Sequence, residues 1–309
     1  YADLHKSKIM PTIDLNKNAL MKRLGKNYTE KEFRQLCFDF GIELDEVTSE
    51  YETILREKGK NAIELKEASK DELYKIDIPA NRYDLLCLEG LTRALKIFLG
   101  TGKHANYKTI KPNDDKIFVM KVTKETKRIR PYIVCAVLRD ITFDENSYQS
   151  FIKLQEKLHF NICKNRKLVA IGTHDLDTLK PNFLYDARKP KDIKFIALKE
   201  SKEMDADELF DEYRNRGYRG IQDEATSALK PYLSIIEHSD VYPIIYDSNN
   251  VVLSLPPIIN GEHSKITVNT KNVFIECTAN DLTKAKIVIN TMCAMFSEYC
   301  KTPFTVEQV

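Results

Sequence analysis

Two adjacent prolines, Pro256 and Pro257, end a run of β-forming residues and restrict what can follow. Neither a helix interior nor a central strand absorbs such a pair, because each ring removes a backbone donor and fixes φ. The stretch from Tyr242 to Thr278, YPIIYDSNNVVLSLPPIINGEHSKITVNTKNVFIECT, therefore divides around it. Before the prolines we expect a strand from Tyr242 to Tyr246, a polar turn DSNN and a second strand from Val251 to Leu255. After them come the step Ile258-Ile259, a polar tip from Asn260 to Ser264, and two β-rich runs ending on Glu276. Glu276 lies between Ile275 and Cys277 in VFIECT, and a carboxylate buried there needs a partner or a use. A cross-strand salt bridge with Lys271 or another basic residue is one such partner.

With 309 residues, 42% of them apolar and 30% charged, the chain can build two or three domains with cores of their own. Lys and Arg number 48 against 46 acidic residues, so any face for nucleic acid must be local. Cys37, Cys87, Cys135, Cys163, Cys277, Cys293 and Cys300 occur singly, without a CxxC pair. That spacing suggests reduced thiols in an intracellular protein rather than disulfides or a metal site. No run reaches the roughly 20 apolar residues of a membrane span. Residues 1–9 are polar and unlike a signal peptide, and read as an extension before a start at Met10.

Residues 10–110 read as a small α+β domain. A strand MPTIDL leads into a helix KNALMKRL stopped by Gly25. Thr29 and Glu32 form a capping box for a helix with Phe33, Leu36, Cys37 and Phe40 on one face. IELDEV is expected as a strand, residues 51–72 as a charged loop, and Tyr74, Ile76 and Ile78 as an alternating strand. A turn at Pro79 to Arg82 follows, then a helix opening on Tyr83-Asp84 and ending at Gly100, with Arg82 a partner for Asp84 or for a phosphate. A linker carries the chain to residue 110.

Residues 111–300 alternate strands and helices. IFVMKV and Tyr132 to Leu138 read as strands, and the helix after them shows an apolar face at Phe151, Leu154, Leu158 and Ile162. A buried strand, LVAIG, runs into the turn GTHDLD, whose His174, Asp175 and Asp177 raise two readings, a metal site or an active-site wall; adjacent turn residues rarely converge on one ion. Two short strands are expected within 182–197. Arg214, Arg216 and Arg219 with Tyr213 and Tyr218 form a basic cluster that an RNA backbone or plain solvent could face. A helix with Leu282, Ala285, Val288, Ile289, Met292 and Met295 on one side follows the central stretch. Residues 301–309 then restart as an extended segment, as at the start of a following domain.

Four of these runs together resemble one family, the β subunit of cytosolic phenylalanyl-tRNA synthetase of the archaeal and eukaryotic type. They are CFDFGIELDEVTSE (37–50), LYKIDIPANRYDLLCLEGLTRAL (73–95), LQEKLHFNICKNRKLVAIGTHDLDTL (154–179) and the stretch 242–278. The resemblance covers nearly all of residues 10–309, and departs from the usual pattern around Asp207 to Lys230, where the chain looks longer. It implies a mixed α+β and α/β multidomain chain: a small N-terminal α+β domain, then a larger mixed-sheet editing domain with flanking helices. It further implies a cytoplasmic protein paired with an α subunit as a dimer of αβ dimers, acting on the phenylalanine tRNA, with tyrosine as the editing substrate. Phenylalanine activation with ATP and Mg2+ would belong to the α subunit, so no cofactor or metal is expected within this chain.

Bacterial β subunits of this kind share a GGEHS-like tip followed by an editing-site glutamate, a spacing that runs here from Gly261 through Glu262, His263 and Ser264 to Glu276. The resemblance thus implies Glu276 as the acceptor for the tyrosine hydroxyl, in a ring slot lined by Leu253, Leu255, Pro257 and Ile258. Ser254, Asn260, Thr278 and the amides around Gly261 are the candidates to position water and stabilise an oxyanion. His263 is a candidate base or a solvent-facing tip residue, and GTHDLD offers no clear counterpart of the neighbouring bacterial histidine. Without Ser-His-Asp or Cys-His spacing, water is the expected attacker.

Overall fold

The computed structural model describes residues 11–60, 62–112, 117–215 and 229–309. The chain divides into two compact units, Tyr1–Ala105 and Asn106–Val309. The expected extension 1–9 lies outside the described residues.

In the first unit, strands β1 (Thr12–Asn16), β2 (Glu43–Thr48) and β3 (Leu73–Asp77) form an antiparallel sheet in the order β1-β3-β2. Helices α1 (Lys17–Leu24), α2 (Glu30–Phe40), α3 (Glu50–Lys58) and α4 (Leu88–Phe98) accompany it. The capping box of α2 forms as read: Thr29 and Glu32 satisfy each other's backbone donors, and Phe33, Leu36 and Cys37 are buried. Helix α3 occupies part of the expected loop 51–72. Ser49 caps it, yet it buries no residue, so it carries no apolar stripe for periodicity to find. Residues 83–85 form a 3-10 turn rather than the start of the next helix. Arg82 pairs with Asp84 through two hydrogen bonds of 2.9 and 2.8 Å.

The second unit holds two five-stranded sheets. The first runs β4 (Lys108–Ile110), β15 (Thr305–Gln308), β6 (Tyr132–Leu138), β14 (Val273–Ala279), β7 (Val169–Asp175). The second runs β13 (Ile259–Asn260), β12 (Val252–Leu255), β11 (Tyr242–Tyr246), β8 (Phe183–Arg188), β5 (Met120–Val122). A small two-stranded ribbon, β9 (Lys194–Phe195) and β10 (Met204–Asp205), packs Phe195 and Met204 into the cluster around Tyr242 and Ile244. The sheets meet face to face, with Phe183 stacked on Phe274 at 4.4 Å between ring centroids and Val137, Tyr185 and Ile245 packed around them. Helices α5 (Glu145–Phe160) and α7 (Leu282–Phe296) cover the first sheet, and α7 buries Ala285, Val288, Ile289, Met292 and Met295. Phe210 of α6 (Ala206–Asn215) stacks on Tyr242 of the second sheet, centroids 4.9 Å apart.

Residues 301–309 do not stand off from this unit. β15 pairs antiparallel with β6, Glu307 opposite Val137, and Arg139 grips Glu307 through two bonds of 2.7 Å. β14 is buried along its whole length, because strands flank it on both sides and layers cover both faces. Among the described residues no helix is long and apolar enough to cross a membrane.

Candidate functional site

Glu276, the middle residue of β14, lies opposite Cys135 of β6 and Gly172 of β7. Its carboxylate, 2% exposed, reaches the second sheet, where the Ser254 hydroxyl donates to Oε1 at 3.0 Å. Oε2 is buried with no hydrogen-bond partner among the described residues. The alternative bridge to Lys271 does not form, since that lysine is exposed while Glu276 is enclosed. Gly172 makes room for the carboxylate: a Cβ there would lie 2.8 Å from Glu276 Cδ.

β7 is an edge strand, and its outward backbone groups are met by side chains rather than by another strand. Ile171 N–H donates to His159 Nε2 at 2.8 Å, and Gln155 Nε2 donates to the Ile171 carbonyl at 3.2 Å. Asn260 Nδ2 donates to the Thr173 carbonyl at 3.2 Å. Burial, with the Arg166 and Arg130 guanidiniums nearby, holds the His159 imidazole well below its usual range.

Along this edge opens a cavity of about 1090 Å³, walled in part by Ser254, Pro257, Ile258, Asn260 and Glu276, all anticipated from the sequence. The other anticipated residues go elsewhere. A register shift in the β11–β12 pairing leaves Leu253 as an extra residue that packs with Phe274 between the sheets, while Leu255 joins the cluster with Phe210 on the other face. The Gly261 amide is spent on the Leu253 carbonyl at 2.7 Å, and His263 is exposed at the tip. Thr278 shares the inward face of β14 with Glu276, but its hydroxyl accepts from Arg130 Nε at 3.0 Å. The Ser254 hydroxyl also holds Glu276, and the Asn260 amide holds β7.

The expected GTHDLD turn is strand β7 as far as Asp175, and only residues 176–178 form a 3-10 turn. His174 Nδ1 pairs with Ser264 Oγ at 2.8 Å, Asp175 accepts from Thr270 Oγ1 at 2.8 Å, and Asp177 from Asn272 Nδ2 at 2.8 Å. Of these six residues, Thr173 lines the cavity. Arg214 is engaged by Asp211 and Glu237, and Tyr213 is buried. Arg216, Tyr218 and Arg219 lie outside the described residues.

Two arginines escaped the sequence reading because KNRK and RIRP look like surface turns. Arg166 lines the cavity, donates from Nη1 to the Pro257 and Ile258 carbonyls at 3.3 and 2.8 Å, and lies over the Tyr232 ring at 4.5 Å. Its buried Nε has no partner. Arg130 is 1% exposed, and its guanidinium donates to neutral oxygens: Thr278 Oγ1, the Thr278 carbonyl at 2.8 Å, and the Arg166 and Lys167 carbonyls at 3.2 and 3.3 Å.

Residues 10–101 match the Phe-tRNA synthetase beta subunit B1 domain and residues 118–301 the B3/4 domain. The chain is 56% identical over 305 residues to the phenylalanine–tRNA ligase beta subunit of Dictyostelium discoideum, covering 97% of this chain and 47% of that protein. It is 54% identical over 302 residues to the cytoplasmic phenylalanine–tRNA ligase beta subunit of Arabidopsis thaliana, covering 97% of this chain and 48% of that protein. It thus spans about half the length of the curated relatives it matches. The crystal structure of an N-terminal fragment of the phenylalanyl-tRNA synthetase beta subunit from Pyrococcus horikoshii superposes with a TM-score of 0.77 at 30% identity, covering 96% of this chain and 75% of that one. The chain belongs to the phenylalanine–tRNA ligase beta subunit family, as its N-terminal region, with a B1 domain followed by a B3/4 domain.

Proposed function

We propose that the cavity beside Glu276 is an editing site that hydrolyses tyrosine mistakenly esterified to the phenylalanine tRNA. The observation that carries this reading is the buried, unpartnered Oε2 of Glu276 in the wall of a cavity. A pocket built to accept phenylalanine cannot strongly reject a ring that adds one hydroxyl, so a second site that rewards the hydroxyl supplies the missing discrimination. Glu276 Oε2 accepts from the tyrosine hydroxyl, and a phenylalanine ring leaves it unpaired at a cost of about 1–3 kcal/mol. Pro257 and Ile258 give the ring an apolar wall. Water attacks the ester carbonyl carbon, the bond to the ribose oxygen breaks, and tyrosine and free tRNA leave. Arg166, whose buried Nε has no partner among the described residues, stabilises the oxyanion.

In the whole enzyme, a partner α subunit activates phenylalanine with ATP and Mg2+, and two αβ pairs assemble in the cytoplasm. The test is deacylation of tyrosyl-tRNA(Phe) by the complete αβ enzyme against its Glu276→Ala variant. We expect hydrolysis of the tyrosyl ester to collapse while phenylalanine charging persists. Equal hydrolysis by both enzymes would leave the N-terminal region as a scaffold for tRNA or subunit binding.

A further inference from the structure

Residues Lys164, Asn165 and Arg166 all have positive φ, 48°, 52° and 65°. Non-glycine residues rarely enter that region, and a run of them persists only where the surroundings over-determine the backbone. Here the surroundings include one buried side chain. Arg130 donates to the carbonyls of Arg166 and Lys167, on the exit of this run, and to the hydroxyl and carbonyl of Thr278. Asn280 adds a bond to the Lys167 carbonyl at 3.2 Å.

Arg130 is itself fixed at its backbone. Its amide donates to the Thr126 carbonyl at 2.7 Å, and its own carbonyl accepts from the Tyr185 hydroxyl at 2.7 Å. Burying a guanidinium is unfavourable compared with leaving it in water, and burial holds Arg130 below its usual range although the nearby Glu276 carboxylate favours its charge. Its planar fork also bridges acceptors on two segments at once. The segments it bridges are the two sides of the cavity. Thr278 lies two residues from Glu276 on the inward face of β14, while the loop it holds presents Arg166, which in turn grips the Pro257 and Ile258 carbonyls.

We infer that Arg130 is a positioning residue that sets the spacing between the Glu276 carboxylate and the Pro257–Ile258 wall, and through that spacing the preference for a tyrosyl over a phenylalanyl ester. The inference rests on the editing reading above. Arg130 is not among the residues lining the cavity; it acts through Thr278 on one side and through the 164–167 loop on the other.

The experiment uses the complete αβ enzyme and compares hydrolysis of tyrosyl- and phenylalanyl-tRNA(Phe). Arg130→Lys keeps the charge and one donor centre but cannot bridge the oxygens of Thr278, Arg166 and Lys167. We expect the ratio of kcat/KM for the two esters to fall on the order of tenfold to a hundredfold, as for a small misplacement of a binding wall, with phenylalanine charging unchanged. A merely structural arginine would slow both esters in parallel, and an unchanged ratio overturns the inference. If Arg130→Lys yields no folded enzyme, Thr278→Val, which removes the hydroxyl that accepts from Nε, takes its place: the ratio must fall in the same direction, and a wild-type ratio again overturns it. Glu276→Ala separates the two levels. Wild-type hydrolysis by Glu276→Ala sinks the editing reading and this inference with it, whereas loss in Glu276→Ala with an intact ratio in Arg130→Lys sinks this inference alone.

Discussion

Gly172 and Glu276 are cross-strand partners in β7 and β14, and the carboxylate of Glu276 fills the space that a side chain at position 172 would take. The pair explains how a long acidic side chain fits inside a sheet that is otherwise closely packed. It also makes the glycine a sensitive probe of the site.

Gly172→Ala should push the carboxylate away from Ser254 or spread β7 from β14. Forcing an extra methyl into a packed interior costs typically about 1–3 kcal/mol. We expect the midpoint of urea unfolding to drop accordingly, and tyrosyl-tRNA hydrolysis by the αβ enzyme to fall well before phenylalanine charging does. A variant with wild-type stability and hydrolysis would mean that Glu276 has another place to go.

Ser254→Ala removes the donor to Glu276 Oε1 and leaves that oxygen buried without a partner. Leaving a buried polar group unsatisfied costs about 1–3 kcal/mol, more for a charged one. The carboxylate should swing, so discrimination between tyrosyl and phenylalanyl esters should weaken along with stability. Ser254→Thr, which retains a hydroxyl, should restore much of both. Paired urea titrations and deacylation assays of the three proteins check this; equal behaviour of the alanine and threonine variants would remove the hydroxyl from the account.

What the sequence disclosed and what it hid follow one physical line. Glu276 stood out because a carboxylate breaks an apolar strand pattern, and the α2 capping box because its partners are three residues apart. Helix α3 was invisible because it buries nothing. Thr278 was misjudged for a different reason: alternation places it beside Glu276, but its partner Arg130 is 148 residues away in sequence. Arg130 and Arg166 gave no signal because the acceptors they bind lie up to 148 residues away in sequence. Gly172 did carry a local signal, since a glycine inside an apolar strand often marks a close approach by another group.

His159 predicts how the edge of β7 responds to acid. Its Nε2 accepts from Ile171 N–H, so the folded ring is neutral, and burial holds its affinity for protons well below the ordinary value of 6.5. Unfolding frees the imidazole to bind a proton below about 6.5, so the unfolded chain binds more protons there than the folded one, and stability falls as pH drops from that value toward the depressed one. One such group contributes a slope of up to about 1.4 kcal/mol per pH unit in that window and none above it. His159→Gln keeps an acceptor within reach of Ile171 N–H but cannot titrate. Urea unfolding between pH 7.5 and 5.5 should therefore show a shallower pH dependence for the variant than for the parent, a difference that cancels the contribution of every other titrating group, and parallel slopes would place the proton elsewhere.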